Sequence, residues 1–481
     1  MTHAAVPPPP PVPEAADTAA PENGRCAFFL AGKGRRCRCR VEPGLAFCGA
    51  HRIADSSDRR VPCPLDPGHT VWERKLQQHL RVCSKAVQDS FVTHQPFYRR
   101  GANAGDGGGV GVVAAEAAVA APAPGESEPC TGQGWAERLA SAFRGAVLEV
   151  LGPQASPDEL LDWSVLAEAG GVAHAEKHEA QNLALAEAAC RGGLHGDAVV
   201  VEYGCGRAGL AAAVLALRPG RRSVLVDREP RRHKIENRQG TREERILRLR
   251  LDVADFDLGA LLGPPLQSAS LPTARDFDGV PVASGGGADG TVLAPAASGP
   301  GGGPAERLEE QWRAAAELQS SPWPPPQVLA CAKHLCGGGT DVALRSLLRA
   351  LPRDGSARGT GADLSVCMAT CCHHRCDAAS YVNVPFVRRL GLCGTVGEFA
   401  QLASAAGWAV GGSGAQQVDG VAKRRLGMMA KRILDLGRVA WLREELGLAD
   451  ASLTCYVDKR VTPENVAILA GGADCAAKAA R

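Results

Sequence analysis

From residue 198 onward the chain alternates short, wholly apolar runs with longer segments whose apolar residues recur at helical spacing. The sharpest run, AVVVEYGCGRAGL from Ala198 to Leu210, predicts a strand buried on both faces, a glycine-rich turn and the start of a helix. Ser223–Val226, Ile246–Leu251, Val328–Ala332 and Leu364–Thr370 repeat the apolar pattern and predict further strands. Leu453–Val457 and Asn465–Ala470 close the series as a pair joined through Pro463, which suits an antiparallel end. Helices are expected within Trp163–Cys190, over Pro230–Gln239, from Thr340 as N-cap to Leu351, and over Gly394–Ala406 and Ala422–Leu446. Strands alternating with helices predict an α/β fold on a doubly wound, Rossmann-like sheet.

Composition decides where that fold can lie. Residues 1–24 carry a proline run and 101–129 are nearly all Gly, Ala, Val and Pro, so the first is expected to be disordered and the second a low-complexity linker. A third such stretch, about 262–304, reads as a surface insertion in the α/β domain, which is placed at 131–481.

The glycine-rich turn also carries chemistry. Gly204, Gly206 and Gly209 satisfy the G-x-G-x-x-G spacing, in which glycine permits a tight turn and close backbone approach to a ligand. Glu202, two positions before Gly204, faces a pyrophosphate unfavourably and suits S-adenosylmethionine. Asp227, 23 residues beyond Gly204 at the end of the second strand, is placed for ribose hydroxyls of either kind of cofactor. Asp252, ending the third strand, is expected near the adenine. A methyltransferase therefore fits better than a nicotinamide-dependent dehydrogenase.

A net charge of +2 names no partner, but the distribution is uneven. Lys and Arg outnumber Asp and Glu nine to three from Arg25 to Arg60, twelve to five from Arg218 to Arg250 and six to one from Lys423 to Arg438. These stretches suggest contact with a polyanion, the alternative being solvated helix faces. The last predicts a basic helix face of Lys423, Arg424, Arg425, Lys431 and Arg432.

Eighteen cysteines without an apolar leader after Met1 point to a reducing, intracellular compartment, nucleus or cytoplasm, and to metal ligation rather than disulfides. No apolar run reaches membrane-spanning length, so no membrane contact is expected. Cys26, Cys37, Cys48 and His51 lie in a segment too short and polar to fold on an apolar core, and fit tetrahedral zinc. Cys39 is a fifth candidate, and spacing alone leaves the choice between Cys37 and Cys39 open. Cys63, His69, His79 and Cys83 form a second set, with His79 and Cys83 on one helix face within Trp72–Val82 and the other two in the preceding Pro/Gly turn. Two zinc ions are expected.

Two later motifs sit where such sheets place chemistry. Lys333-His334-Leu335-Cys336-Gly337 follows the fourth strand; Lys333 and His334 could orient or deprotonate a hydroxyl, or Lys333 could bind phosphate. Cys371-Cys372-His373-His374-Arg375-Cys376 follows the fifth, and adjacent ligands cannot all converge on one ion without severe contortion. That favours an active-site wall, with His373, His374 and Arg375 as catalytic candidates, over a third metal site. Lys177, His178 and Gln181, on neighbouring helical turns, have no role that spacing reveals, and a helix capping the cofactor is the plainer reading.

Both cysteine and histidine clusters, KHLCG and CCHHRC, in this order, resemble the eukaryotic tRNA 2′-O-ribose methyltransferase family that acts on nucleotide four of the acceptor stem. The likeness covers Arg25 to Cys83 and, with interruptions, about Asp162 to Ala470, including Tyr456 and Pro463-Glu464-Asn465. It implies a CCCH finger at 25–52 that uses Cys37, a CHHC finger at 60–85, S-adenosylmethionine as cofactor and tRNA as substrate. It also assigns the CCHHRC run to the active-site edge. The rival from another class is a zinc-finger RNA-binding protein whose methyltransferase-like domain is a scaffold without catalysis.

Overall fold

The computed structural model describes residues 24–30, 35–48, 60–104, 133–162, 174–191, 194, 196–229, 245–277, 304–320, 323–325, 327–350, 363–409 and 418–471. The proline run, most of the 101–129 linker, the predicted helix Pro230–Gln239 and His51 lie outside them. Two compact units form, one ending at Asp89 and one beginning at Ser90.

In the first unit β1 (Phe29–Leu30) pairs antiparallel with β2 (Arg35–Arg36), and β3 (Arg60–Cys63) with β4 (Asp66–Trp72). A 3-10 turn at Glu73–Lys75 leads into α1 (Leu76–Val82), and α2 (Ser84–Thr93) follows. Cys63 and His69 therefore sit on two hairpin strands rather than in a turn. The Asp66-Pro67-Gly68 signal for a turn is overridden by the pairing of β4 with β3.

The second unit begins its regular structure with α3 (Gln133–Leu151), α4 (Pro157–Asp162) and α5 (His174–Cys190). Then come β5 (Val199–Tyr203), α6 (Gly209–Leu217), β6 (Arg222–Val226), β7 (Ile246–Leu249), α7 (Leu258–Leu262) and α8 (Pro304–Leu318). The chain continues through β8 (Gln327–Lys333), α9 (Gly338–Leu347), β9 (Asp363–Ala369), α10 (Val384–Arg389) and α11 (Val396–Ala406). It ends in α12 (Val418–Leu446), β10 (Ser452–Cys455) and β11 (Val466–Ala470). The insertion opens with 3-10 turns at Ser268–Ser270 and Ala274–Phe277, and Phe277 packs on Leu308, so its first part is not the loose surface loop its composition suggests.

The strands make one seven-stranded mixed sheet in the order β10-β11-β9-β8-β5-β6-β7. β7, β6, β5, β8 and β9 run parallel, β11 is antiparallel to β9, and β10 is antiparallel to β11. Both faces are covered: Val199, Val201 and Tyr203 of β5 join one core cluster, while Val200 joins another with Leu185 and Cys190 of α5 and Leu210 and Val214 of α6. Each such side chain contributes about 1.5–3 kcal/mol by leaving water. The chain steps outward from β5 to β7 and returns on the other side of β5 at β8. The β5/β8 boundary is where the order reverses, and open parallel sheets bind ligands at the carboxyl ends of the strands there.

Candidate functional site

At the carboxyl end of β5 the chain turns through Gly204 at φ +61° and Gly206 at φ +52° before Ala208, also left-handed at φ +60°, caps α6. A side chain at Gly204 would place its Cβ 2.7 Å from Leu335 Cδ1, so glycine is what lets the KHLCG loop lie over the turn. At Gly206 an added Cβ meets nothing within 4 Å, and the backbone faces open space. Three side chains hold this turn. Glu202, buried, accepts a hydrogen bond from the Ala211 N–H at 2.9 Å, and burial pushes its pKa up to about 7 against the pull of that N–H, Arg248 and Lys333. Asp227 accepts from the Gly206 N–H at 2.7 Å and from the Glu229 N–H at 2.7 Å. Arg248 of β7 donates to the Gly206 carbonyl at 3.0 Å and to Cys205 Sγ at 2.9 Å. Asp252 caps the short turn at Val253–Asp255 and stands 3.5 Å from Arg228, the side chains being 44% and 72% exposed.

Lys333 ends β8, the strand beside β5. Its Nζ lies 3.3 Å from the His178 carbonyl and 3.4 Å from His178 Nδ1. Burial pushes its pKa down to about 8, with the Glu202 carboxylate opposing. His334 is exposed, in a left-handed backbone conformation at φ +61°, with its ring 5.4 Å from that of His178. Partial burial, then the positive charges of Lys333 and its neighbours, push its pKa down, so the ring is neutral at pH 7. One turn beyond His178, Gln181 is fully buried with neither side-chain amide atom partnered. Thr340 lies inside α9 and donates its hydroxyl to the Leu335 carbonyl at 2.7 Å; the N-cap is Gly337.

The CCHHRC run divides. His374 and Arg375 are exposed, whereas His373 is buried with Nε2 2.6 Å from Asp435 Oδ1 and Nδ1 against the Cys371 carbonyl. His373 thus has no face left for a substrate. Asp435 also accepts from Arg432 at 2.9 Å and Arg438 at 3.2 Å, and Arg438 grips both oxygens of Asp341 at 3.0 and 2.7 Å. Two guanidiniums thus face two carboxylates, all at most 2 % exposed. This cluster ties α12 to α9 and the loop after β9.

In the first unit Cys63, His69, His79 and Cys83 place one ligand atom each within 4.8 Å of the others. Asp66 holds His69 Nδ1 at 3.2 Å, leaving Nε2 turned to His79 and Cys83, the arrangement in which a carboxylate fixes a metal-binding imidazole. Cys26, Cys37 and Cys48 form a second group of the same dimensions, and Cys39 is exposed outside it.

A family model described as "Methyltransferase TRM13" matches residues 180–269 and 316–471, just over half of the chain. The chain belongs to the TRM13 methyltransferase family. Models described as "CCCH zinc finger in TRM13 protein" and "U11-48K-like CHHC zinc finger" match residues 24–52 and 60–84. Relatives named "tRNA:m(4)X modification enzyme TRM13" include one from Vanderwaltozyma polyspora, 24% identical over 93% of this chain and 97% of that one. Another, from Eremothecium gossypii, is 29% identical over 93% of this chain and 95% of that one. A Homo sapiens homolog is 24% identical over 94% and 95%. No solved structure matches.

Within this TRM13 chain the structure regroups several residues. Lys431 pairs with Glu464 and Arg432 with Asp435, both buried, so they leave the predicted basic face of α12 to Lys423, Arg424 and Arg425. Burial of cations was hidden because their partners lie on other elements or on the inner side of the same helix. Arg248 joins the sheet edge with no signal beyond membership of a basic stretch, and His178, singled out with Lys177 and Gln181 but without a role, stands there beside Lys333. Among the described residues no helix is long and apolar enough to cross a membrane.

Proposed function

We propose that this methyltransferase transfers the methyl group of S-adenosylmethionine to the 2′-hydroxyl of nucleotide 4 in the tRNA acceptor stem, on a doubly wound Rossmann-like sheet. Two zinc ions in its fingers, 25–52 and 60–85, complete the reading, with residues 131–481 as the methyl-transfer domain. The observation that carries it is the meeting of the glycine turn, Asp227 and Lys333 at one reversal of strand order. The residues fit the cofactor: the Gly206 backbone faces open space that any Cβ would enter, and Asp227, hydrogen-bonded to the Gly206 N–H, brings a carboxylate to the same turn. The Cys and His donor sets fit zinc.

Asp227 would hold the ribose hydroxyls and Asp252 the adenine side, while Glu202 and Arg248 keep the turn in shape. S-adenosylmethionine bound there supplies an electrophilic methyl group. The chain's own task is to fix the 2′-oxygen and remove its proton. Lys333, with a pKa of about 8, is neutral in about a tenth of molecules at pH 7 and serves as the base. Neutral His334 orients the hydroxyl, exposed His374 and Arg375 form the wall on the RNA side, and His373 acts only by position. Double-stranded RNA displays its 2′-hydroxyls in a wide, shallow groove, reachable without reading bases. The names of the relatives put tRNA first among RNAs. The protein is intracellular on this reading.

The test is to incubate the purified chain with methyl-labelled S-adenosylmethionine and unmodified tRNA, then map the label by mass spectrometry of nuclease fragments. Label on the ribose of nucleotide 4 is expected. Label on a base, or outside the acceptor stem, overturns the substrate; no label despite cofactor binding favours a scaffold.

A further inference from the structure

Outside the fingers, one more set of soft ligands converges. Cys336, in the loop after β8, and Cys371 and Cys372, in the loop after β9, bring their sulfurs within 4.8 Å of one another. Cys336 Sγ and Cys371 Sγ are 3.7 Å apart. Two thiolates about 2.3 Å from one tetrahedral ion stand roughly 3.8 Å apart, whereas a disulfide requires about 2.05 Å. The CHHC finger gives an internal yardstick, for its Cys63 and Cys83 sulfurs are 3.8 Å apart.

The adjacency of ligands within CCHHRC argues against a site only if that run supplies all of them. Here it supplies two, and the third comes from 35 residues upstream. Cys372 adopts φ −61°, ψ 59°, which turns the chain into the 3-10 turn His373–Arg375. Gly337, at φ +63°, lets the two loops touch: a Cβ there would lie 2.6 Å from the Arg375 carbonyl oxygen. Backbone packing therefore holds the three thiols together without an ion's help. Sulfurs ligating separate irons of a cluster stand farther apart than sulfurs sharing one ion, which leaves a mononuclear centre.

We propose that Cys336, Cys371 and Cys372 bind a third zinc ion through three thiolates, the fourth position being taken by a non-protein ligand. Thiolate donors in tetrahedral spacing select zinc over harder divalent cations. The ion would tie the Lys333–His334 loop to the His374–Arg375 loop.

The test uses the full chain, purified under reducing conditions without added metal, beside Cys336→Ser and Cys372→Ser. Elemental mass spectrometry should give about three zinc ions per chain, falling by about one in either variant, with thermal melting confirming that the sheet unit stays folded. An equal zinc content in all three proteins overturns the proposal. So does a Cys336–Cys371 disulfide in a non-reduced peptide map, or iron in place of zinc. Should either variant fail to fold, cobalt titration of the wild type decides: a thiolate charge-transfer band that saturates at about three equivalents supports the site, and saturation at about two overturns it.

Discussion

The finger unit and the sheet unit hold themselves together by different means. In the first finger the buried apolar cluster is Cys26, Cys37 and Cys48, with Phe28, Val41 and Phe47 only partly covered. In the sheet unit Val199, Val200, Val201 and Tyr203 are all fully buried in a single strand, and helices cover both faces. A metal replaces an apolar core in one and is unnecessary for the core of the other. The largest expected effect follows. Structural zinc is worth about 10–16 kcal/mol in small modules, so Cys83→Ser, or chelation, should unfold the CHHC finger outright. Limited proteolysis of the full chain should then cut between residues 60 and 84 while the fragment beginning near Ser90 resists. Survival of the finger without metal would break the contrast.

Within the sheet unit the charges buried together are those of the ionic cluster around Asp435. Replacing it by Asn leaves Arg432 and Arg438 short of a carboxylate at a site with no exposure, which costs about 3–5 kcal/mol. Thermal melting at pH 7 should show the loss, with finger zinc content unchanged. Against burial, which pushes it up, His373 and then Arg432 and Arg438 hold the Asp435 carboxyl well below the usual carboxylate range. Its stabilisation is therefore complete above the unfolded pKa, about 4, and is lost only as pH falls through the depressed folded value.

The two units also differed in how much of them could be read from residues. The strands were legible because apolar runs of this length have few other uses, and β5 through β11 fall within a few residues of their predicted spans. The convergence of Cys26 with Cys37 and Cys48, and of Cys63 with His69, His79 and Cys83, was legible because donors crowded into a polar segment have little else to do. What stayed hidden depends on approach across the sheet. Leu335 over Gly204, Cys336 beside Cys371, and Lys431 with Glu464 each join residues far apart in the sequence, and no spacing along the chain records the register that brings them together. Asp435 sits in a stretch read as basic because it is outnumbered there, although it is the carboxylate on which those cations depend.

Changes at the sheet edge should leave both units folded and act on the glycine turn and what it binds, which sharpens the contrast between holding and acting. Asp227→Ala removes an acceptor for charge-assisted hydrogen bonds worth about 1.5–3 kcal/mol. Calorimetry should show that loss in S-adenosylmethionine affinity, and Gly206→Val should fill the open space beside the turn. Unchanged affinity in both would remove the cofactor from this turn.

The smallest effect concerns the proton, and its sign separates two roles for Lys333. Its pKa is lowered to about 8, so it is mostly cationic below that pH and mostly neutral above it. If the neutral amine takes the hydroxyl proton, kcat/KM should rise about tenfold per pH unit from pH 6 to 7.5 and level off beyond 8.5, a gradient of about 1.4 kcal/mol per unit. If instead the cation holds a phosphate, the rate should be flat below pH 8 and fall above it. Lys333→Arg distinguishes the two a second way, because a guanidinium stays charged throughout this range. As a base it should fail, with S-adenosylmethionine affinity retained; as a phosphate anchor it should largely succeed. His334 cannot mimic either profile, since its ring is already neutral at pH 7 and above. A flat profile from pH 6 to 9 together with an active arginine variant would take Lys333 out of the proton transfer and leave it as a positioning charge beside Glu202.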